Sequence, residues 1–153
     1  MKELGGRSQK IMKTLHPDLQ DVINYAINIL NLTLLEGHIG KEKQNEYYAT
    51  GKSKHIFGES LHSLEPSEAV DLALLHEDSN PVRLENKFEQ TIIAGMLIGM
   101  AFCQGVMLGW GGDANSDFTE NDSFIERTHF YLKAKKIGDE WVSYKKLRES
   151  IDK

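Results

Sequence analysis

At 153 residues, 40% apolar and 27% charged, the chain has the ordinary globular balance and the length for one domain burying roughly 70% of its unfolded surface. The formal net charge of -5 leaves no overall basic footprint, which argues against nucleic acid as a partner, and the lysines of Lys133-Ala134-Lys135-Lys136 read as a solvated turn. A single cysteine, Cys103, excludes an internal disulfide framework and suits a reducing cytoplasm.

In chain order, the opening MKELGGRSQKIMKTLHPDL lacks the apolar central run of a secretory signal, so no export by that route is expected. Leu19, Val22, Ile23, Ala26, Ile27 and Leu30 then follow the three-four spacing of one helix face, starting at Pro17 or Asp18. Leu32 to Glu36 reads as a strand closed by Gly37, and Lys41 to Ala49 as a polar helix stopped at Gly51. Lys52 to Pro66 shows no periodicity and reads as a loop carrying His55 and His62.

Ala69 to Leu75 is a mainly apolar strand and Leu84 to Gln104 a long helix. The apolar run Ile92 to Trp110 is about long enough to span a bilayer, but Gln104-Gly105 interrupts it. A buried helix followed by a strand over Val106 to Trp110 explains it, and no membrane insertion is expected. Gly111 to Ser123 is rich in turn formers and carboxylates and reads as an exposed loop. Thr128 to Leu132 follows as a strand and Val142 to Ile151 as a terminal helix. Strands and helices alternate irregularly, which points to an α+β fold with a small sheet.

Asp71 raises a chemical question, because Val70 and Leu72 flank it and an inward carboxylate needs a partner. Exposure on an alternating strand is the other reading. His62 lies upstream, and His129 stands in a second strand with Glu126 three residues before it. Two histidines and an aspartate suffice for a Zn²⁺ ion with one coordination position open, and a nearby glutamate that is not a ligand can move a proton. Spacing alone does not select this set, since six histidines and 23 acids allow many triples. His55, His76 and His16 read as structural or loop histidines.

The motifs Ser60-Leu61-His62, Ala69-Val70-Asp71, Trp110-Gly111-Gly112-Asp113 and Glu126-Arg127-Thr128-His129-Phe130 stand in a definite order. Upstream lie Glu36-Gly37-His38, Gln44 and Gly51-Lys52-Ser53-Lys54. This order, from about His16 to Leu132, resembles the zinc peptidase family of L-alanyl-D-glutamate peptidases and D-alanyl-D-alanine carboxypeptidases, especially the short phage endolysins. The resemblance implies a Hedgehog/D,D-peptidase-like fold, a small antiparallel sheet with helices packed around it, as one domain over 1–153. It implies His62, Asp71 and His129 as zinc ligands, Glu126 as catalytic base, and Ser60 and Asp113 in support. A peptidoglycan stem peptide is the implied substrate and an L-Ala–D-Glu bond the one cut. A D,D-carboxypeptidase, or a non-catalytic domain that retains zinc, is the alternative. The implied role is a monomeric endolysin, held in the host cytoplasm until lysis and then acting on the wall.

Two positions depart from the family pattern. Ile39 stands where an arginine is usual, so another cation, Lys41 or Arg127, is expected to replace it, or the activity is altered. Ala114 stands where a tryptophan is common. Separately, Asp113, Asn115 and Asp117 alternate as in a calcium loop, though Phe118 and Phe124 occupy the places of its glycine and glutamate.

Overall fold

A computed structural model describes residues 3–78, 81–113 and 126–151. The order is α1 (Gly6–Met12), α2 (Pro17–Ala26), β1 (Leu32–Glu36), α3 (Lys41–Ala49), a 3₁₀ turn (Leu61–Ser63), β2 (Ala69–Leu74), α4 (Lys87–Cys103), β3 (Val106–Gly111), β4 (Glu126–Ile137), β5 (Glu140–Ser143) and α5 (Tyr144–Ile151). Every strand pairing is antiparallel, in the order β1-β2-β4-β3, and β5 pairs with the far end of β4. The architecture is therefore α+β, as the sequence suggests.

Local chemistry sets the helix boundaries. His16 caps α2 by accepting from the Asp18 amide at 3.2 Å, with Pro17 in the first turn where its missing N–H costs nothing. Asn86 caps α4 by accepting from the Glu89 amide, so that helix starts at Lys87 rather than at Leu84. It ends before Gly105, whose φ of 73° is glycine's territory. The apolar run thus divides into α4 and β3, and no described helix is long and apolar enough to cross a membrane.

α1 is a helix over a stretch to which the sequence reading assigns no element. Two further expectations need correction. Lys133 to Lys136 are part of β4 rather than a turn: β4 continues to Ile137, and the reversal falls at Gly138, with φ 61°, and Asp139. The same hairpin places Val142 and Ser143 in β5, so the terminal helix begins at Tyr144.

One face of the sheet is core. Leu34, Val70, Leu72, Phe130 and Leu132 are buried with Leu19, Val22, Ile23 and Ala26 of α2 and Ile93, Ala94, Leu97 and Ala101 of α4. With a side-chain period of two, Asp71, His129 and Tyr131 point the other way.

The far end of the sheet is tied to α2 by a polar knot. Lys135 Nζ donates to both Asp18 oxygens at 2.8 and 3.0 Å, and Tyr144 Oη donates to Oδ2 at 2.6 Å. Burial alone would raise the Asp18 carboxyl, but these bonds, with the charges of Lys135 and His16, hold it below its ordinary value of 3.8. A depressed carboxyl adds stability above the ordinary value and loses it as pH falls through the folded one. Asp18→Asn is expected to destabilise the fold by about 1–2 kcal/mol at pH 7. That lowers Tm by about 2–4 °C per kcal/mol, and the deficit should shrink in acid. Thermal unfolding of both proteins at pH 7 and pH 3 checks it.

Candidate metal centre and cleft

Sheet register builds the site. Asp71 on β2 pairs with Glu36 on β1 and with His129 on β4, so three side chains from three strands form one row on the face away from the core. A register shift between Leu34 and Glu36 brings Glu36, instead of Leu35, opposite Asp71. Val70 and Leu72 point into the core while Asp71 does not, which resolves the apparent conflict of a carboxylate in an apolar strand.

His62 arrives from the loop before β2. Ser60 Oγ accepts from the His62 amide at 3.2 Å and starts the 3₁₀ turn, and the Ile39 amide donates to the His62 carbonyl at 2.8 Å. The His62 ring is fixed by Nδ1 donating to the Gly37 carbonyl at 2.6 Å. That hydrogen bond puts the proton on Nδ1 and turns the Nε2 lone pair toward Asp71 and His129. Gly37 must be glycine here, because a Cβ would lie 2.6 Å from Thr14 Oγ1 and 2.9 Å from Ile11.

The three donor atoms form a tight triangle. His62 Nε2 lies 3.1 Å from His129 Nδ1 and 3.6 Å from Asp71 Oδ1, and His129 Nδ1 lies 3.0 Å from Asp71 Oδ1. Ligands at about 2.0–2.2 Å from a tetrahedral zinc stand about 3.3–3.6 Å from one another, so the triangle is close to that size before any adjustment. Two imidazoles and a carboxylate are also a donor set that zinc accepts. Among the described residues this is the group of His, Cys, Asp and Glu side chains arranged to hold a metal ion.

The electrostatics agree. Burial would raise Asp71, but hydrogen bonds and charge from His129 and His62 hold its carboxyl far below the usual range. Burial disfavours a charged His62, yet Asp71, the Gly37 carbonyl and the charge of Glu126 together raise it. These opposed shifts mark a place that favours positive charge.

Glu126, at the start of β4, lines the same cleft of about 350 Å³. Burial, helped by the charge of Asp71, pushes its carboxyl up, while His129, His62 and Lys54 pull it down. The net upward shift moves a carboxylate toward the range where it serves as a base near neutral pH. Tyr131 stacks on His129 with ring centroids 5.6 Å apart, and its ring lies against Gly109, where a Cβ would collide with it.

Of the other expected residues, Asp113 does not line the cleft among the described residues, and its amide donates to the Trp110 carbonyl at 3.1 Å. Asn115, Asp117 and Ala114 lie outside the described residues. Ile39 lines the cleft, but neither Lys41 nor Arg127 does. The cations that do are Lys52 and Lys54, which the sequence reading leaves in the loop after α3 without a role. His55 also lines the cleft, whereas His76 pairs with Glu89 at 2.9 Å.

No protein-family model and no curated protein matches the sequence. Among solved structures, the chain is similar to the crystal structure of the Serratia marcescens L-Ala D-Glu endopeptidase ChiX, with a TM-score of 0.68 and 24% identity. The match covers 86% of this chain and 90% of that one. The two chains share a fold.

Proposed function

We propose that this protein is a zinc-dependent peptidoglycan peptidase that cuts the stem peptide between L-Ala and D-Glu. The observation that carries the reading is the His62-Asp71-His129 triangle with Glu126 in the same cleft. The fold shared with an L-Ala D-Glu endopeptidase and the ordered motifs support the choice of substrate. Bound by His62, Asp71 and His129, zinc would supply a Lewis acid for the scissile carbonyl and would acidify the attacking water. Glu126 takes the proton from that water and delivers one to the leaving amine. Ser60 positions the turn that presents His62, and Gly37 fixes its tautomer. The residues from 1 to 153 act as one peptidase domain, and host lysis in the manner of a phage endolysin is the biological role we infer from the motif resemblance.

The test is turbidity loss of purified Gram-negative walls with the protein as isolated, after chelation, and after zinc is restored, followed by mass spectrometry of the products. Lysis that stops on chelation and returns with zinc, with a new D-Glu amino terminus in the products, is expected. Release of single alanines in place of that terminus would show a carboxypeptidase, and zinc-loaded protein that leaves walls intact would show a non-catalytic domain.

A further inference from the structure

We propose that Lys52, steadied on the ring of Tyr47, is the residue with which the cleft recognises a carboxylate of its substrate. The inference rests on the peptidase reading of the same cleft and adds what the bound peptide must carry.

Lys52 Nζ sits 3.8 Å from the centroid of the Tyr47 ring, and both residues line the cleft. An aromatic face attracts an ammonium without neutralising it or using up its hydrogen-bond donors. Tyr47 is itself held: its hydroxyl donates to Glu36 Oε2 at 3.1 Å, and Glu36 is occupied by Lys43 Nζ at 2.8 and 2.9 Å. Lys43 thus meets the charge of Glu36, while its own Nζ stands farther from the Tyr47 ring than that of Lys52, at 5.4 Å from the centroid. Among the described residues no carboxylate forms an ion pair with Lys52.

The backbone that carries Lys52 is equally determined. Gln44, 1% exposed, donates through Nε2 to Ser53 Oγ at 3.0 Å and to the His55 carbonyl at 2.7 Å. Gly51 takes φ 73° to turn the chain off α3. A buried glutamine and a clamped tyrosine therefore hold Lys52 at the wall of a cleft whose other charged groups include Lys54 and the carboxylates of Glu36, Glu59, Asp71 and Glu126.

Those carboxylates would repel an anionic peptide unless a cation offset them. A glutamyl residue joined through its amine to the bond that is cut has two carboxyl groups; within a stem peptide one is linked onward and the other is a free carboxylate unless blocked, so such a peptide carries an anion next to the scissile bond. Ile39 leaves the opposite requirement unmet on its own part of the wall, because an isoleucine offers no charge. Lys52 meets it from the next loop.

The experiment is calorimetric titration of the zinc-loaded protein with L-Ala–D-Glu whose peptide bond is replaced by an uncleavable CH₂–NH link, as the diacid and as the diamide. The wild type is expected to bind the diacid about tenfold tighter, the effect of one charge-assisted hydrogen bond. Lys52→Gln should remove that preference and Lys52→Arg keep it. Tyr47→Phe, which keeps the ring but gives up its tie to Glu36, should reduce the preference without removing it, and Tyr47→Leu should lose it. Equal binding of the two ligands to the wild type, binding of neither, or a preference that survives Lys52→Gln would overturn the proposal. A wild type that prefers the diacid yet releases nothing from walls would leave the subsite standing and remove the peptidase reading.

Discussion

Glu126→Gln should leave the fold and the zinc site in place while lowering the rate of wall hydrolysis by about 10²–10⁴-fold, the usual contribution of a positioned general base. The substitution keeps the size of the side chain and removes only its capacity to hold a proton in transit. Glu126 lines the cleft beside the triangle without belonging to it, so zinc binding does not depend on it directly. Its upward-shifted carboxyl is the reason to expect a large effect, because burial makes the carboxylate more basic than one in water. Rates on purified walls, together with zinc content of the isolated variant, distinguish the outcomes. A variant that keeps both zinc and full activity would remove Glu126 from the chemistry. A variant that loses zinc would make it a supporting residue of the metal centre.

Much of this site was legible before the fold because its motifs are short and local. The strand Leu32–Glu36 and the helix Lys41–Ala49 have the predicted bounds, since Gly37 and Gly51 punctuate them chemically. His62, Asp71 and His129 are found together, although it takes the pairing of β2 with β4 to bring Asp71 to His129 and the bonds from Ser60, Gly37 and Ile39 to place His62 beside them. What the sequence hid is of two kinds. Lys133 to Lys136 alternate poorly and carry three lysines, so a strand that depends on pairing with β3 and β5 gives little signal of its own. α1 is similarly quiet, with no side-chain cap at Gly5 and no acidic residue in its first turn.

The second kind concerns the cleft wall. Charge alone nominated Lys41 and Arg127 as replacements for a cation at Ile39, yet the cations on the wall are Lys52 and Lys54. Choosing among lysines requires knowing how the loop after α3 folds back, which rests on the bonds from Gln44 to Ser53 and His55. Gln44 is polar, lies in a polar helix and is nevertheless buried, and no periodicity announces that.

Zinc should stabilise the protein, and His129→Ala should abolish that stabilisation. A ligand that binds only the folded state at about 100 times its Kd adds about 2.7 kcal/mol, which at this size raises Tm by about 5–11 °C. His62, Asp71 and His129 come from the loop before β2, from β2 and from β4, so a bound ion would cross-link segments that the unfolded chain does not hold together. Loss of a supporting hydrogen bond to a metal ligand costs about 10–100-fold in affinity, and loss of His129 itself should cost more. The histidine is 19% exposed at its side chain and faces the cleft rather than the core, so alanine there leaves the packing of Phe130 and Leu132 intact. Scanning calorimetry of chelated and zinc-loaded proteins reads both effects independently of any enzymatic assay. A wild-type Tm that does not respond to zinc would remove the metal centre, whereas a rise that persists in His129→Ala would place the ion elsewhere. The charge balance points to the expected result: among the described residues Asp71 is held by the rings of His62 and His129, and removing His129 takes away its closest hydrogen bond, at 3.0 Å.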